Sequence, residues 1–310
     1  MTASAYPSHM RRTWRKILMH RYCYLMLIPV AAYFIIFAYA PMWGIFISFQ
    51  DYQIFLGIQG SPWVGLQNFR DFFGGLKFGQ IFANTLILNI ESIVIGFPAP
   101  IIFAIMMNEI KSRKLARTVQ TITYMPHFIS TVVVVSMMSM ILSPTNGFVN
   151  QVIMRNGGEA IYFMNEAGWF RPLSIISGLW QNIGWNSIIY LAAITGIDPV
   201  YYEAAIIDGA TWWQKIIHIT IPSIKSTIII MLILRLGNLL GTDFQKVLLM
   251  QTSGNKVVSE VLSTYVYARG IGNSEYGYAQ AVSLFNGIVH IVLILITNTI
   301  TNKLADEGLW

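Results

Sequence analysis

Charged residues are scarce in this sequence. Asp, Glu, Lys and Arg make up 11% of its 310 residues, against roughly 25% in soluble proteins, while hydrophobic residues make up 55%. So few charges cannot cover an ordinary water-facing surface, and they argue against a nucleic-acid-binding protein. A disordered chain is excluded as well, because disorder requires low hydrophobicity and high charge. The composition is typical of an all-α protein that crosses a membrane several times.

Cysteine and the common catalytic motifs are also missing. The single cysteine, Cys23, excludes a disulfide framework and a cysteine-based zinc site. None of the five histidines begins a His-Glu-x-x-His pair, and no Gly-x-x-x-x-Gly-Lys-Ser/Thr loop is present to hold ATP in the usual way. Gly-x-Ser-x-Gly is absent too. We therefore predict that this chain is not an enzyme and that it binds neither a metal ion nor a cofactor itself.

Long stretches between charges locate the membrane spans, because a helix needs about 20 apolar residues to cross a bilayer. Four stretches are free of charge, and two more carry one or two charges inside, at Glu91 and at Arg235 and Asp243. We predict six transmembrane helices, at 22–49, 81–107, 118–142, 173–196, 223–249 and 277–302.

The first span has two features of a cleaved signal peptide. Basic residues precede it, and Ala38-Tyr39-Ala40 resembles a cleavage site. However, the apolar run is far longer than the usual 7–15 residues of a signal peptide, and Pro41 stands where cleavage would occur. We predict a retained helix.

The distribution of Lys and Arg predicts the orientation, because these residues favour the cytoplasmic side. With the N-terminus inside, the inner segments hold 12 of the 20 Lys and Arg residues and the outer segments hold seven. Both termini are then cytoplasmic. The basic N-terminus 1–21 and the loop 197–222 lie inside, and the loop 50–79 is extracytoplasmic.

The inner loop 197–222 has clear local signals. Asp198-Pro199 is typical of a helix start, where the missing N–H of proline costs nothing, and Gly209 permits a turn with positive φ. A second amphipathic piece follows and includes Trp212 and Trp213. The residues alone leave two interpretations open: a helix-turn-helix that meets a partner, or an interfacial helix held at the lipid headgroups.

A spaced pattern within this loop resembles a known family. Glu203-Ala204-Ala205, followed after three residues by Gly209 and after nine more by Ile219-x-Ile221-Pro222, is similar to the EAA loop of binding-protein-dependent ABC importer permeases. The family usually has Leu where Ile221 stands, which is a conservative difference. The string EAAIIDGATWWQKIIHITIP resembles the carbohydrate-uptake, maltose-permease type. WVGLQNF at 63–69, segment 84–110 and TYVYARGI resemble the subgroup that imports oligosaccharides and polysaccharide fragments.

The resemblance implies a type I ABC importer transmembrane fold, with the ABC type-1 transmembrane domain at 80–303. It also implies a location in the bacterial plasma (inner) membrane. The implied partners are a second homologous permease, two cytoplasmic ATPase subunits that carry ATP and Mg, and an extracytoplasmic solute-binding protein. The implied substrates are oligosaccharides or polysaccharide fragments, including uronate-containing ones such as alginate. The loop would be the coupling helix, and its contact residues would be Glu203, Ala204, Ala205, Asp208, Gly209 and Pro222.

Two ionisable residues lie near the middle of predicted spans, Glu91 and Arg235. Burying an unpaired charge in a membrane is costly, so such residues are candidates for function. Two interpretations stay open. They pair with each other or with a partner subunit, or Arg235 is a counter-ion for an anionic sugar.

A polar and aromatic cluster occupies the fourth span. Sugars stack on aromatic rings and their hydroxyl groups bond to amides, which fits a substrate path, but helix packing explains the same residues equally well. Asn286 and His290 on the sixth span are weaker candidates, and Gly237-x-x-x-Gly241 indicates close helix contact. The cluster consists of Trp180, Gln181, Asn182, Trp185 and Asn186.

Two other functions compete with this interpretation. An ion-driven secondary transporter would use Glu91, Arg235 and Asp243, but it predicts inverted repeats, which the sequence does not show. A membrane-embedded glycan transferase would need an acidic cluster at one interface, and Asp243 with Glu260 does not form one.

Overall fold

The computed structural model describes residues 19–305, with side chains to residue 302, so most of the predicted N-terminal segment 1–21 lies outside the described residues. Across this range the protein is helical, and one isolated antiparallel bridge joins Gln50 to Trp63. Single turns lie at Gly57–Gly60 and Lys256–Ser259. The helices are α1 (Arg21–Phe49), α2 (Gln67–Gly74), α3 (Phe78–Asn108), α4 (Arg113–Phe128), α5 (Thr131–Ile141), α6 (Phe148–Arg155), α7 (Ala167–Thr195), α8 (Pro199–Ile207), α9 (Trp212–Ser223), α10 (Lys225–Gly237), α11 (Phe244–Met250), α12 (Leu262–Tyr267) and α13 (Tyr276–Ala305).

The structure confirms the helical class but not six continuous spans. In residues 19–305, three single helices are long and apolar enough to cross a membrane: α1, α3 and α13. Two bent pairs raise this number to five if each pair is one span: α4 with α5, and α9 with α10. Helix α7 has 29 residues, about 43 Å at 1.5 Å per residue. It is long enough to cross, but several amide and hydroxyl side chains make it less apolar.

The predicted helix 118–142 is two helices that meet at 99°. A 3-10 turn at Met125–Phe128, with Pro126 in its first positions, ends α4, and Ile129 continues it in an extended conformation. Ser130 then caps α5, its side chain accepting a hydrogen bond from the Val133 N–H at 3.4 Å. The segment is helical on both sides of the bend, but the proline and the cap divide it.

The predicted helix 223–249 is also divided. Helix α10 ends at Gly237, and α11 starts after the cap Asp243, whose side chain accepts a hydrogen bond from the Lys246 N–H at 3.1 Å. Gly237 lies so close to Ile294 of α13 that a Cβ atom would overlap its side chain, as the glycine spacing predicts. Gly241 faces the side chain of Asn238 instead of another helix.

The predicted outer loop 50–79 packs against the body of the protein. Asn68 Nδ2 donates hydrogen bonds to the backbone oxygens of Ser48 and Gln50, at 2.9 and 3.0 Å. Phe72 is buried against Tyr278 and Phe285, which both lie on α13. The loop therefore fixes the start of α13 relative to the end of α1.

One of three hydrophobic clusters joins the membrane helices to the predicted inner loop. Tyr190 and Ile194 of α7 pack there with Ile216, which lies within α9, and with Ile224, which directly follows α9. Ala104 of α3 completes the contact. A movement of the loop would therefore be transmitted to α3 and α7.

Candidate functional site

The predicted coupling loop folds as a helix, a turn and a second helix. The Val200 N–H donates to Asp198 Oδ1 at 3.0 Å, and Pro199 occupies the first helical position of α8. Gly209 follows with φ +75°, a conformation that favours glycine. Thr211 then caps α9 in a capping box with Gln214. The local signals predicted this geometry correctly.

The outer surface of this loop is open. Glu203, Ala204 and Asp208 are exposed and Ala205 is half-buried; in the part of the chain that the structure describes, neither carboxylate forms an ion pair. Large apolar side chains accompany them, and Ile207 is 85% exposed. Pro222 is also exposed but lies near the end of α9. An exposed apolar patch of this kind is typical of a surface that a protein partner or the membrane interface covers.

The two halves of the loop are connected to each other by a hydrogen bond. The hydroxyl oxygens of Tyr202 on α8 and Thr220 on α9 lie 2.9 Å apart. Ile216, four residues before Thr220, is buried in the cluster with α7. A force on α8 would thus reach the membrane helices through both contacts.

A polar cavity of about 470 Å³ lies at mid-length of α3 and α7. Its walls come from α3, α7, the end of α10 and the turn leading to α11. It brings together three of the residues predicted for the substrate path, Asn182, Asn186 and Arg235. Asp243, assigned a role above only in the ion-driven alternative, also lines it. Sequence reasoning missed the remaining polar members of the lining, which are Asn89, Ser92, Ser174, Asn238, Thr242 and Lys246.

Two cations line this cavity. Arg235 is exposed and lies within ion-pair distance of no carboxylate in residues 19–302. Lys246 is 5% exposed, and its Nζ donates to the backbone oxygen of Ser174 at 2.7 Å. Asp243 lines the same cavity, but its carboxylate caps α11. The cavity therefore combines amide groups with a net positive charge.

Glu91 lies elsewhere and does not pair with Arg235. Its Oε1 is 3.9 Å from Nη1 of Arg171, and both residues line a separate cavity of about 600 Å³. The alternative in which Glu91 and Arg235 bind each other is thus wrong within this chain. The remote partner Arg171 left no signal in the sequence that would distinguish it from other cations.

Of the two tryptophans predicted for the path, Trp185 lies at the bend between α4 and α5. Trp185 stacks on His127 with ring centroids 4.4 Å apart and planes 5° apart. Asn182 Oδ1 lies 2.9 Å from His127 Nδ1, and Gln181 Nε2 donates to the Ile129 oxygen at 2.8 Å. These contacts support the packing interpretation for Trp185, whereas Asn182 serves both the bend and the cavity. Trp180 is exposed and lines none of the three cavities named here.

Of the two candidates on the sixth span, Asn286 lines a third cavity, of about 520 Å³, and His290 does not. Asn286 lines it with Tyr52, Tyr267 and Tyr276. In the described residues, the buried Asn286 Oδ1 and His290 Nε2 have no hydrogen-bond partner. Asn286 is therefore separated from Asn182 and Arg235, and the predicted path residues do not form one site. Across residues 19–302, no cluster of side chains that would hold a metal ion is found.

Comparisons with known proteins agree with this architecture. The chain is 43% identical over 300 residues to the polygalacturonan/rhamnogalacturonan transport system permease protein YteP of Bacillus subtilis (strain 168), covering 97% of this chain and 94% of that protein. Protein LplB of the same organism is 43% identical over 290 residues, covering 94% and 91%.

A solved structure of a bacterial alginate ABC transporter, in complex with an alginate pentasaccharide-bound periplasmic protein, contains a chain that superposes with a TM-score of 0.89 at 38% identity. The match covers 96% of this chain and all of that one. These matches confirm the predicted family and the predicted plasma-membrane location. The model of the binding-protein-dependent transport system inner membrane component family matches residues 96–306, more than half of the sequence, so the chain belongs to that family.

Proposed function

We propose that this chain is one of two homologous permease subunits of an ATP-driven importer for acidic polysaccharide fragments. The observation that carries the proposal is the polar cavity with Arg235 at mid-length of α3 and α7. One relative, a permease protein of a polygalacturonan/rhamnogalacturonan transport system, and a structural neighbour from an alginate transporter support an acidic saccharide as the substrate. The chain would translocate the substrate without chemical change.

The chemistry of the cavity fits such a substrate. Amide groups of Asn89, Asn182, Asn186 and Asn238 offer donors and acceptors for sugar hydroxyl groups. The Arg235 guanidinium would bind a uronate carboxylate through charge-assisted hydrogen bonds. A cavity that was only structural would not need several amides and a cation at the depth where polar groups are most costly.

We infer six crossings, with α7 as the helix that composition alone does not identify and with each bent pair as one crossing. Irregular backbone within a bilayer is tolerated where it lines a cavity, and the turn between α10 and α11 lines this one. The N- and C-termini and α8 would then lie on the cytoplasmic side, as the Lys and Arg distribution predicts.

Helix α8 would bind a cytoplasmic ATPase subunit. The small side chains of Ala204 and Ala205 permit close approach, and the exposed carboxylates of Glu203 and Asp208 form no ion pair in the described part of this chain. Closure of two ATPase subunits that hold ATP and Mg would push α8 and tilt α7 and α10, giving alternating access. An extracytoplasmic binding protein would deliver the saccharide.

The test uses the complete transporter in liposomes: both permeases, the ATPase and the binding protein. We expect uronate oligosaccharides to stimulate ATP hydrolysis at lower concentrations than neutral ones of equal length. Arg235→Gln should raise the KM for transport of the acidic substrate about tenfold, the effect of one charge-assisted hydrogen bond. Arg113→Gln, an exposed change at the start of α4, is the matched control.

Two results would contradict the proposal. Equal stimulation by neutral and acidic oligosaccharides would contradict the assignment of an acidic substrate. Uptake that continues after ATP depletion but stops when ion gradients collapse would favour the ion-driven transporter instead.

A further inference from the structure

We propose that Lys246 determines specificity by binding a carboxylate of the saccharide, and that Gly178 provides the space its ammonium group needs. This inference rests on the proposed function, because it assigns a role within the same cavity. The geometry of α7 and α11 carries it.

The first observation is a buried ammonium group with no carboxylate within ion-pair distance in the described residues, although the Asp243 carboxylate acts on it from farther away. Lys246 is 5% exposed and forms no ion pair in the described part of the chain. The nearby Asp243 accepts a hydrogen bond from the Lys246 backbone N–H instead. Buried charges are costly unless they are paired, so an anion that enters the cavity would relieve this cost.

The second observation concerns the donors of the ammonium group. An ammonium has three N–H donors, and the Ser174 backbone oxygen accepts from one of them at 2.7 Å. Lys246 lines the cavity, so a carboxylate there would accept from another. The bond to Ser174 also holds the ammonium against α7, which lowers the entropy lost when the ligand binds.

The third observation is the room made by Gly178. A Cβ atom at this position would lie 3.0 Å from Lys246 Nζ, closer than ordinary contact. Gly178 and Lys246 line the same cavity. A larger residue at 178 would therefore require the ammonium to shift by at least a few tenths of an ångström from its position beside Ser174.

Arg235 differs from Lys246 in this respect. It is exposed, on a long flexible side chain, so it can follow a carboxylate in several positions. Lys246 is held in one place. We expect Arg235 to attract acidic saccharides in general and Lys246 to select those with a carboxylate at one fixed point.

A purely structural role for Lys246, as a link between α11 and α7, is the alternative that the test must separate. The complete transporter is assayed with two substrates of equal length, a free-acid uronate oligosaccharide and its fully methyl-esterified form. Esterification removes the negative charge but leaves the hydroxyl groups and the length of the chain. The readout is the ratio of the two KM values for uptake.

Lys246→Gln should raise the KM for the free acid about tenfold or more and leave that for the ester within about twofold. Lys246→Arg keeps the positive charge and should retain most of the preference for the acid. A preference lost only in Lys246→Gln would then be due to the missing charge and not to a folding defect. Gly178→Ala should also raise the KM for the acid, and it should add little in the presence of Lys246→Gln. Lys256→Gln, at a half-exposed lysine paired with Glu260, is the matched control and should retain the wild-type ratio.

Equal changes for acid and ester in Lys246→Gln would show a structural role and overturn the inference, as would unchanged values for both. If the wild-type transporter takes up neither substrate, the proposed function itself fails. These outcomes are distinguishable because the first two require a working wild-type transporter.

Discussion

Substitutions at Gly209 allow a graded test of the coupling loop, because backbone strain is the main effect that they would have. Its φ is +75°, and a Cβ atom added there would meet no heavy atom within 4 Å. A substitution therefore creates no steric clash with neighbours. Its whole cost arises from forcing an L-residue into the left-handed region, about 1–2 kcal/mol for alanine.

That cost applies to the turn that follows α8. A penalty of this size lowers the population of the correct conformation by a factor of about 5–30. If α8 transmits the ATPase movement, Gly209→Ala should lower substrate-stimulated ATP hydrolysis by up to that factor. Gly209→Asn should lower it less, since asparagine tolerates positive φ, and Gly209→Val should lower it most, since a β-branched residue tolerates it least.

The assay is substrate-stimulated ATP hydrolysis by the complete transporter in liposomes, with the amount of assembled complex measured beside it. Gly196→Ala is the control, because Gly196 ends α7 at φ −82°, where alanine is unstrained. The predicted order is wild type, Asn, Ala, Val. Full stimulation in the valine variant, or an asparagine variant no better than valine, would show that the turn does not take part in coupling.

Three further predictions concern the membrane region. Asn182→Ala should raise the transport KM several-fold and Trp185→Ala should change it little, because only Asn182 lines the cavity; equal effects in uptake assays would contradict this division. Thr85→Val should lower the free energy of unfolding by about 1–3 kcal/mol, since the buried Thr85 Oγ1 accepts a hydrogen bond from the Leu262 N–H at 2.9 Å. An unchanged melting curve would contradict this prediction. Glu91→Gln should leave the preference for acidic substrate unchanged, since Glu91 faces Arg171 in another cavity; a lost preference in the uptake assay would show otherwise.

The sequence predicted best where the determining contacts are local. The start of α8 depends on Asp198 and Pro199, and the turn after it depends on Gly209. Each signal acts within three or four residues, so no knowledge of the tertiary structure is needed to recognise it. For this reason the loop was predicted correctly in shape, although its role in coupling stays a prediction.

The two broken helices show where hydropathy fails. A long apolar run indicates that a segment is buried in lipid, but it does not require one continuous helix. Pro126 and the glycines at 237 and 241 were visible signals of interruption. Their effect depends on contacts with other helices, such as Gln181 with the Ile129 oxygen and Gly237 with Ile294, and those contacts are remote in sequence.

Side-chain partners were the least predictable part of the site. Glu91 had several cations available in the sequence, and its neighbour Arg171 lies 80 positions away. His127 was not considered for the path, yet it contacts both Asn182 and Trp185. The Lys and Arg distribution places Lys246 among the seven outer cations, because nothing local in the sequence indicates that α11 turns back against α7.

The break after α10 and the polarity of the cavity have one physical cause. Where α10 ends at Gly237, backbone groups lose their helical partners, and in a bilayer such groups must face protein or a cavity. The segment 238–243 meets this requirement beside Asn182 and Asn186 on α7. Closing the break with a continuous helix would carry Asp243 and Lys246 away from α7 and remove one wall of the cavity. The interruption that hydropathy did not reveal is therefore the feature that creates the proposed substrate site.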